Sequence, residues 1–178
     1  FFAALFIHPK ITYVFEWSNR GIFAFLLVVL ISVGILDFFE ALTPPGDTDT
    51  LAYHFTLPKQ FINAGRIEFV PKALEGATAL LVQMTYVPVL KLGGEKALLL
   101  WVFISGWVAV YAVYVLARRH LSEEWSLALA LVFATTPAVV YGAGSGQVEV
   151  RIIIFVIASV LAVTTSKSNG TSFILLAG

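Results

Sequence analysis

No cysteine occurs in this chain of 178 residues, which excludes disulfides and thiolate metal sites. Charge is scarce too. The 11 basic and 11 acidic residues make up 12% of the chain and cancel to a net charge of zero. Without a basic surplus, no polybasic patch points to nucleic acid. No basic segment precedes the first apolar run, so no secretory signal peptide is expected. Apolar residues fill the space instead: 59% of the chain, with a mean hydropathy of +0.90. Soluble domains run near about 45–50% apolar and about 25% charged. This composition, with apolar runs near bilayer length, predicts a polytopic membrane protein. Several Trp and Tyr stand at the edges of those runs, where interface anchors sit.

The fold expected is all-α, a transmembrane helical bundle of four to five spans forming a single membrane domain over 1–178. Gly21–Leu36 is one apolar run. With Phe38, Phe39, Ala41 and Leu42 it reaches roughly the 20 residues that cross about 30 Å of hydrocarbon. Pro44-Pro45-Gly46 then stops it, because proline lacks an N–H and disfavours helix in the residue before it. Ala97–Ala117 is a second span, closed by Arg118-Arg119-His120. Leu127–Tyr141 is a third, with Trp125 at its mouth and Pro137 near its far end. Ile152–Thr165 is a shorter fourth, beginning as early as Gln147. Ala77–Leu92 is ambiguous: Gln83, Thr85, Pro88 and Lys91 interrupt it and Gly93-Gly94 ends it, so it either spans or lies in the interface. Ser166–Ser172 reads as a turn. The chain starts FFAALF without an initiator Met and stops at SFILLAG, like the opening of another span. The expectation is therefore a fragment of a longer protein.

Between the first two spans lies a polar island, residues 43–76. From Asp37 to Glu75 stand six of the chain's 11 acids and three of its 11 bases. Thr50–Ala64 reads as a short amphipathic helix lying on the membrane surface. Asp49 or Thr50 is its expected cap, Leu51, Phe55, Leu57, Phe61 and Ile62 form its apolar stripe, Pro58 kinks or breaks it, and Gly65 stops it. Positive charge in short loops marks the cytoplasmic side. If Ala77–Leu92 spans, Arg118-Arg119 falls outside while Arg20 is inside; the preferred arrangement leaves it non-spanning, so that Lys10/Arg20, Arg118-Arg119 and Lys167 share that side. The 43–76 loop and the 142–151 loop then share the opposite, extracytoplasmic one.

The acid pair Asp47/Asp49, followed by Tyr53 and His54, is the island's most pointed feature. A carboxylate accepts a proton from an attacking hydroxyl, or ligates a divalent metal. On spacing alone, ordinary loop and capping acids are the favoured explanation. His54 suits a hydrogen bond to a phosphate or a sugar, or plain packing beside Tyr53. GAGSGQ (142–147) is no phosphate-binding or nucleophile-elbow motif; its small residues suit close helix packing. Arg151 at the start of a span is expected to snorkel or to pair with Glu149. Glu123-Glu124 reads as a solvated turn opening a helix. Asn169-Gly170-Thr171 is a formal glycosylation sequon, on the cytoplasmic side in this topology and so taken as chance.

The run Asp49–Ile67, DTLAYHFTLPKQFINAGRI, resembles the first external loop of polytopic membrane glycosyltransferases that use polyprenyl-phosphate sugars. That class (the GT-C type) includes the protein O-mannosyltransferases and the aminoarabinose transferases of lipid A. The similarity is to bacterial and archaeal relatives with a D-x-L-x-Y-H-x-x-x-P-K signature, matched by Asp49, Leu51, Tyr53, His54, Pro58 and Lys59. Gly65 and Ile67 fit the continuation. Downstream the likeness extends to LGG (Leu92–Gly94), ARR (Ala117–Arg119), TTP (Thr135–Pro137) and a loop acid, Glu149. It covers roughly residues 20–165, and only the loop motif is specific. The resemblance implies an integral protein of a prokaryotic inner membrane, with Asp49 as the base for the acceptor hydroxyl and Glu149 as a second acid near the donor phosphate or a metal. Lys59, Arg66 and Arg151 are further candidates to neutralise the lipid-linked phosphate, on chemistry rather than motif. Asp47, Asp49 and Glu149 are the candidate ligands for a divalent metal. The class has more spans than this chain, which leaves a rival reading: a small non-catalytic subunit packing with other membrane subunits. Transport has little support, since no charged residue sits mid-span in the clear helices.

Overall fold

A computed structural model describes residues 19–70 and 81–169. All regular structure among them is helical. Six α-helices follow in order: α1 (Arg20–Ala41), α2 (Thr56–Ala64), α3 (Leu81–Ala117), α4 (Glu123–Ala134), α5 (Pro137–Gly144) and α6 (Glu149–Asn169), with a π-helical turn, Thr50–His54, leading into α2. Two of these, α1 and α3, are long and apolar enough to cross a membrane. In α1 only Asp37 and Ala41 are buried. Phe25, Val28, Ile31, Ile35 and Leu36 are all exposed, so α1 is apolar around its circumference, the pattern of a helix set among apolar neighbours or lipid. The Asn19 side chain caps it, accepting from Gly21 N (3.0 Å) and Ile22 N (3.2 Å), which satisfies two of the orphan donors at a helix start.

α3 is bent at Gly94, whose φ of 68° and ψ of −164° are non-helical. At about 1.5 Å per residue the arm from Leu81 to Gly93 reaches roughly 20 Å and the arm from Glu95 to Ala117 roughly 35 Å. Only the second matches about 30 Å of hydrocarbon. The expected end of a segment at Gly93-Gly94 therefore appears as a kink between two helical arms. The start of that segment, 77–80, lies outside the described residues, as do the first apolar stretch and the final one. Gly94 sits in a backbone region essentially restricted to glycine. Gly94→Ala is expected to destabilise the fold by about 1–3 kcal/mol, read as a lowered unfolding midpoint in detergent.

Three expectations are corrected. Leu127–Tyr141 is not one helix: α4 ends at Ala134 and α5 starts at Pro137. The Thr135 and Thr136 hydroxyls donate to the Leu131 and Val132 carbonyls (2.8 Å each), and Pro137 takes a first-turn position, where its missing N–H costs nothing. Pro58 neither kinks nor breaks its helix. It is the third residue of α2, again among the N–H groups that lack an intrahelical acceptor. Residues 166–169 are not a turn but the last residues of α6. Gly65 does stop α2, in the left-handed conformation (φ 68°) with its N–H on the Ile62 carbonyl.

The described residues form two compact units. The first gathers the described chain up to Gly34, Val108–Thr136 and the chain from Ile152. Its core joins α3 and α6 through Ala112, Ile157 and Leu161, with Val113, Val115, Leu116 and Ile153 packed around them. Ala109, Ala130, Ala134, Ala158 and Ala162 are also buried there. Small buried residues let helix backbones approach closely, which is how helices associate where lipid removes the hydrophobic drive. Glu123 and Glu124 open α4; Glu124 accepts from Asn19 N at 2.9 Å and Glu123 faces Arg118 at 3.4 Å. The second unit comprises Ile35–Trp107 and Pro137–Arg151. It holds the polar island and the candidate site.

Candidate functional site

The site is built where Asp47–His54 meets Ser145–Arg151, inside the second unit. Asp47, not Asp49 or Thr50, supplies the cap: its Oδ1 accepts from Thr50 N at 2.8 Å. Asp49 makes no capping bond and stays exposed, free to meet a substrate. The turn that follows is wound one residue wider than α-helix, with Phe55 N on the Thr50 carbonyl at 3.0 Å. Such π-turns re-aim side chains and recur at functional sites. Here the turn carries Thr50 and His54 fully inward (0% and 2% exposed). Asp47, Thr50 and His54, three and four residues apart, share one face. Of the expected apolar stripe, Phe55, Leu57 and Phe61 are buried, whereas Leu51 is exposed.

The opposing segment fits closely. The Tyr86 hydroxyl donates to the Gly146 carbonyl (3.2 Å). A Cβ on Gly146 would lie 2.4 Å from Thr50 Cγ2 and 2.6 Å from Phe55 Cε1, so only glycine admits this approach. Gln147 Nε2 donates to Asp47 Oδ1 at 3.1 Å. The 43–76 and 142–151 loops, expected on one side of the membrane, thus touch through a direct hydrogen bond. Arg151 holds the second loop in place. It is 2% exposed, and it donates from Nε to Ser105 Oγ (3.2 Å), from Nη1 to the Gly142 carbonyl (2.9 Å) and to that of Gln147, and from Nη2 to the Val102 carbonyl (2.8 Å). The guanidinium does not snorkel. Its donors are spent on three backbone carbonyls and the Ser105 hydroxyl, so it acts as an internal clamp and not as a phosphate ligand at the surface.

His54 lies at the centre. Gln83 Nε2 stands 3.1 Å from its Nδ1, an arrangement that suits the tautomer with its proton on Nε2. Burial pushes its pKa below the ordinary histidine value, opposed by the nearby carboxylates Glu149, Asp47 and Asp49 and by the Gln147 amide. A folded pKa below the unfolded value of about 6.5 means that the unfolded chain binds the proton more readily. Stability is therefore fully present above about pH 6.5 and falls as pH drops toward the folded pKa. The unfolding midpoint is expected to fall between about pH 7.5 and about pH 5.5 in the wild type, and less steeply in His54→Gln. Equal slopes would remove His54 as the cause.

The remaining candidates are dispersed. Tyr53 is half-buried, its ring 4.2 Å from that of His54. Lys59 pairs with Glu95, and Arg66 with Glu68 at 2.7 Å, both at the surface. Glu149 is the exposed first residue of α6. Among the described residues no three His, Asp or Glu side chains gather closely enough to hold a metal ion. Asp47, Asp49 and Glu149 are not gathered into such a ligand set. An open cleft of about 460 Å³ leads to Asp47, with Glu40 and Thr43 on one wall and Tyr141 and Ser145 on the other. Thr50, Gln83, Tyr86, Gly146 and Gln147 belong to the site, although the sequence marked Thr50 only as a cap, Gln83 and Gln147 only as breaks or edges of apolar runs, Gly146 only for packing, and Tyr86 not at all. Their signal was faint: polar or glycine positions inside otherwise apolar stretches.

Compared with protein-family models, curated proteins and solved structures, the chain matches none.

Proposed function

We propose that the chain is a membrane glycosyltransferase of four to five spans, or the N-terminal portion of one, that moves a sugar from a polyprenyl-phosphate donor to an acceptor at the outer face of a prokaryotic inner membrane. The observation that carries this reading is the meeting of two acid-bearing loops beside an open polar cleft, with Asp49 exposed one residue beyond the cleft wall. The likeness of Asp49–Lys59 to the first external loop of that enzyme class supplies the reaction. Asp49 takes the proton from the acceptor hydroxyl. The acceptor oxygen forms a bond to the anomeric carbon from the face opposite the phosphate, the carbon–oxygen bond to phosphate breaks, and the lipid phosphate leaves with the electron pair, inverting the centre. A positioned base of this kind contributes about 10²–10⁴-fold. Lys59, on α2, and Arg66, just beyond it, are paired with Glu95 and Glu68, and meet the departing phosphate only by exchanging those partners for it.

The test is incorporation of label from polyprenyl-phosphate sugars by native membranes holding the full-length gene product, wild type against Asp49→Asn. Transfer that depends on Asp49 supports the enzyme. Transfer indifferent to Asp49 overturns its assigned role. No transfer with any lipid-linked pentose or hexose overturns the enzyme reading.

A further inference from the structure

Three buried polar atoms on one face of the loop have no hydrogen-bond partner: Asp47 Oδ2, Thr50 Oγ1 and His54 Nε2. A buried polar group left unpaired loses its hydration without compensation, and native structures keep few of them. Here three occur within eight residues, and each parent side chain is otherwise anchored: Asp47 Oδ1 by Thr50 N and Gln147, His54 Nδ1 by Gln83, Thr50 against Gly146. The Gln147 amide ties the face together, bonding Asp47 on one side and facing His54 on the other. The loop is thus held rigid while three atoms remain unsatisfied, as in a preorganised binding site.

The donor pattern defines the ligand. Asp47 Oδ2 accepts, His54 Nε2–H donates, and the Thr50 hydroxyl does either. A carbohydrate hydroxyl suits such a face, since it gives a hydrogen to an acceptor such as Asp47 Oδ2 and accepts one from a donor such as the Thr50 hydroxyl or the His54 ring. A phosphate or carboxylate has no proton for Asp47 and is repelled by it; an ammonium has no lone pair for His54. Of the three residues Asp47 lines the cleft of about 460 Å³, with Thr50 and His54 buried behind it, and that volume falls within the roughly 300–1,000 Å³ of small-molecule pockets. We infer that Asp47, Thr50 and His54 form a subsite for a hydroxyl group of the transferred sugar, distinct from the acceptor hydroxyl that Asp49 deprotonates. The inference rests on the transferase reading for the kind of sugar, not for the chemistry of the subsite.

The experiment uses the full protein in lipid nanodiscs, labelled with ¹⁵N in its histidine rings. The His54 signals are assigned by their loss in His54→Gln. The probes are the methyl glycosides of a hexose and of a pentose, with glycerol as a plain polyol. At least one glycoside is expected to move the His54 Nε2 signal saturably, and glycerol is not. Thr50→Val, which keeps the side-chain volume, should raise the half-saturation concentration about tenfold, the weight of one hydrogen bond to a buried partner; Asp47→Asn should do the same. Failure of every glycoside to move His54 in a protein that transfers sugar overturns the subsite and leaves the transferase standing. An equal response to glycerol overturns the sugar assignment. A saturable glycoside shift in a protein that shows no transfer keeps the subsite and overturns the transferase.

Discussion

Asp49→Asn is expected to lower sugar transfer by about 10²–10⁴-fold with protein level and unfolding midpoint unchanged. Asn keeps the size of the side chain and loses only the proton-accepting carboxylate. The structure gives the fold little reason to respond. Asp49 is exposed and makes no capping hydrogen bond, and surface substitutions away from such features stay within about 0.5 kcal/mol. Asp47→Asn is the informative contrast. Its Oδ1 serves Thr50 N and the Gln147 amide, and an Asn oxygen can serve both, since Asn caps helices as well as Asp. The new amide, however, replaces Oδ2 and turns a donor toward a face that already presents the His54 Nε2–H. Asp47→Asn should therefore raise KM for the donor more than it lowers kcat, whereas Asp49→Asn should act on kcat. The reverse pattern would make Asp47 the base. Silence of the wild type toward every lipid-linked sugar would instead favour a non-catalytic subunit. The intact mass of the native protein then becomes decisive, since a mass well above 19.4 kDa argues against a small subunit.

The long apolar runs were legible because composition and length alone define them: α1 and the second arm of α3 fall where the sequence places spans. Gly65 was legible for a local reason, the left-handed stop. The break at Thr135–Pro137 was harder to see, because an apolar run on both sides hides a helix that ends and restarts within three residues. Pro58 misled in the opposite direction. Its effect depends on which turn of the helix it occupies, and that turn is fixed by the π-helical winding at Thr50–His54. The acid loop announced itself by charge. Its partners did not, since Gln147 meets Asp47 across 100 residues of sequence and no local pattern encodes that distance. Arg151 was the most misleading residue. A cation at a helix start suggests snorkelling, and only the arrangement of Val102, Ser105, Gly142 and Gln147 around it reveals a buried clamp.

Arg151→Met should accordingly destabilise the protein by about 3–5 kcal/mol, near the upper end for a single substitution. Met preserves most of the apolar stem and can occupy the space, so packing changes little. What is lost is a set of charge-assisted hydrogen bonds, each worth about 1.5–3 kcal/mol, and the buried carbonyls of Val102, Gly142 and Gln147 lose their donor. Retained partners and relaxation keep the sum below simple addition, as hydrogen bonds among membrane helices average under about 1 kcal/mol each when measured by double-mutant cycles. Arg151→Lys should fall between Met and wild type, because one ammonium on a flexible stem cannot reproduce the planar fork that reaches four acceptors. Detergent unfolding midpoints read this order directly, and a Met variant within about 0.5 kcal/mol of wild type would rule out the clamp. The consequence extends to the site. Arg151 holds Gly142 and Gln147 from beneath, and Gln147 in turn holds Asp47. Releasing that loop moves the Asp47 face by a fraction of its own dimensions, and a displacement of about 1 Å at a positioned group can cost about 10²-fold in rate. The Met variant should therefore lose sugar transfer, and the His54 signal its glycoside response, even at temperatures where it remains folded.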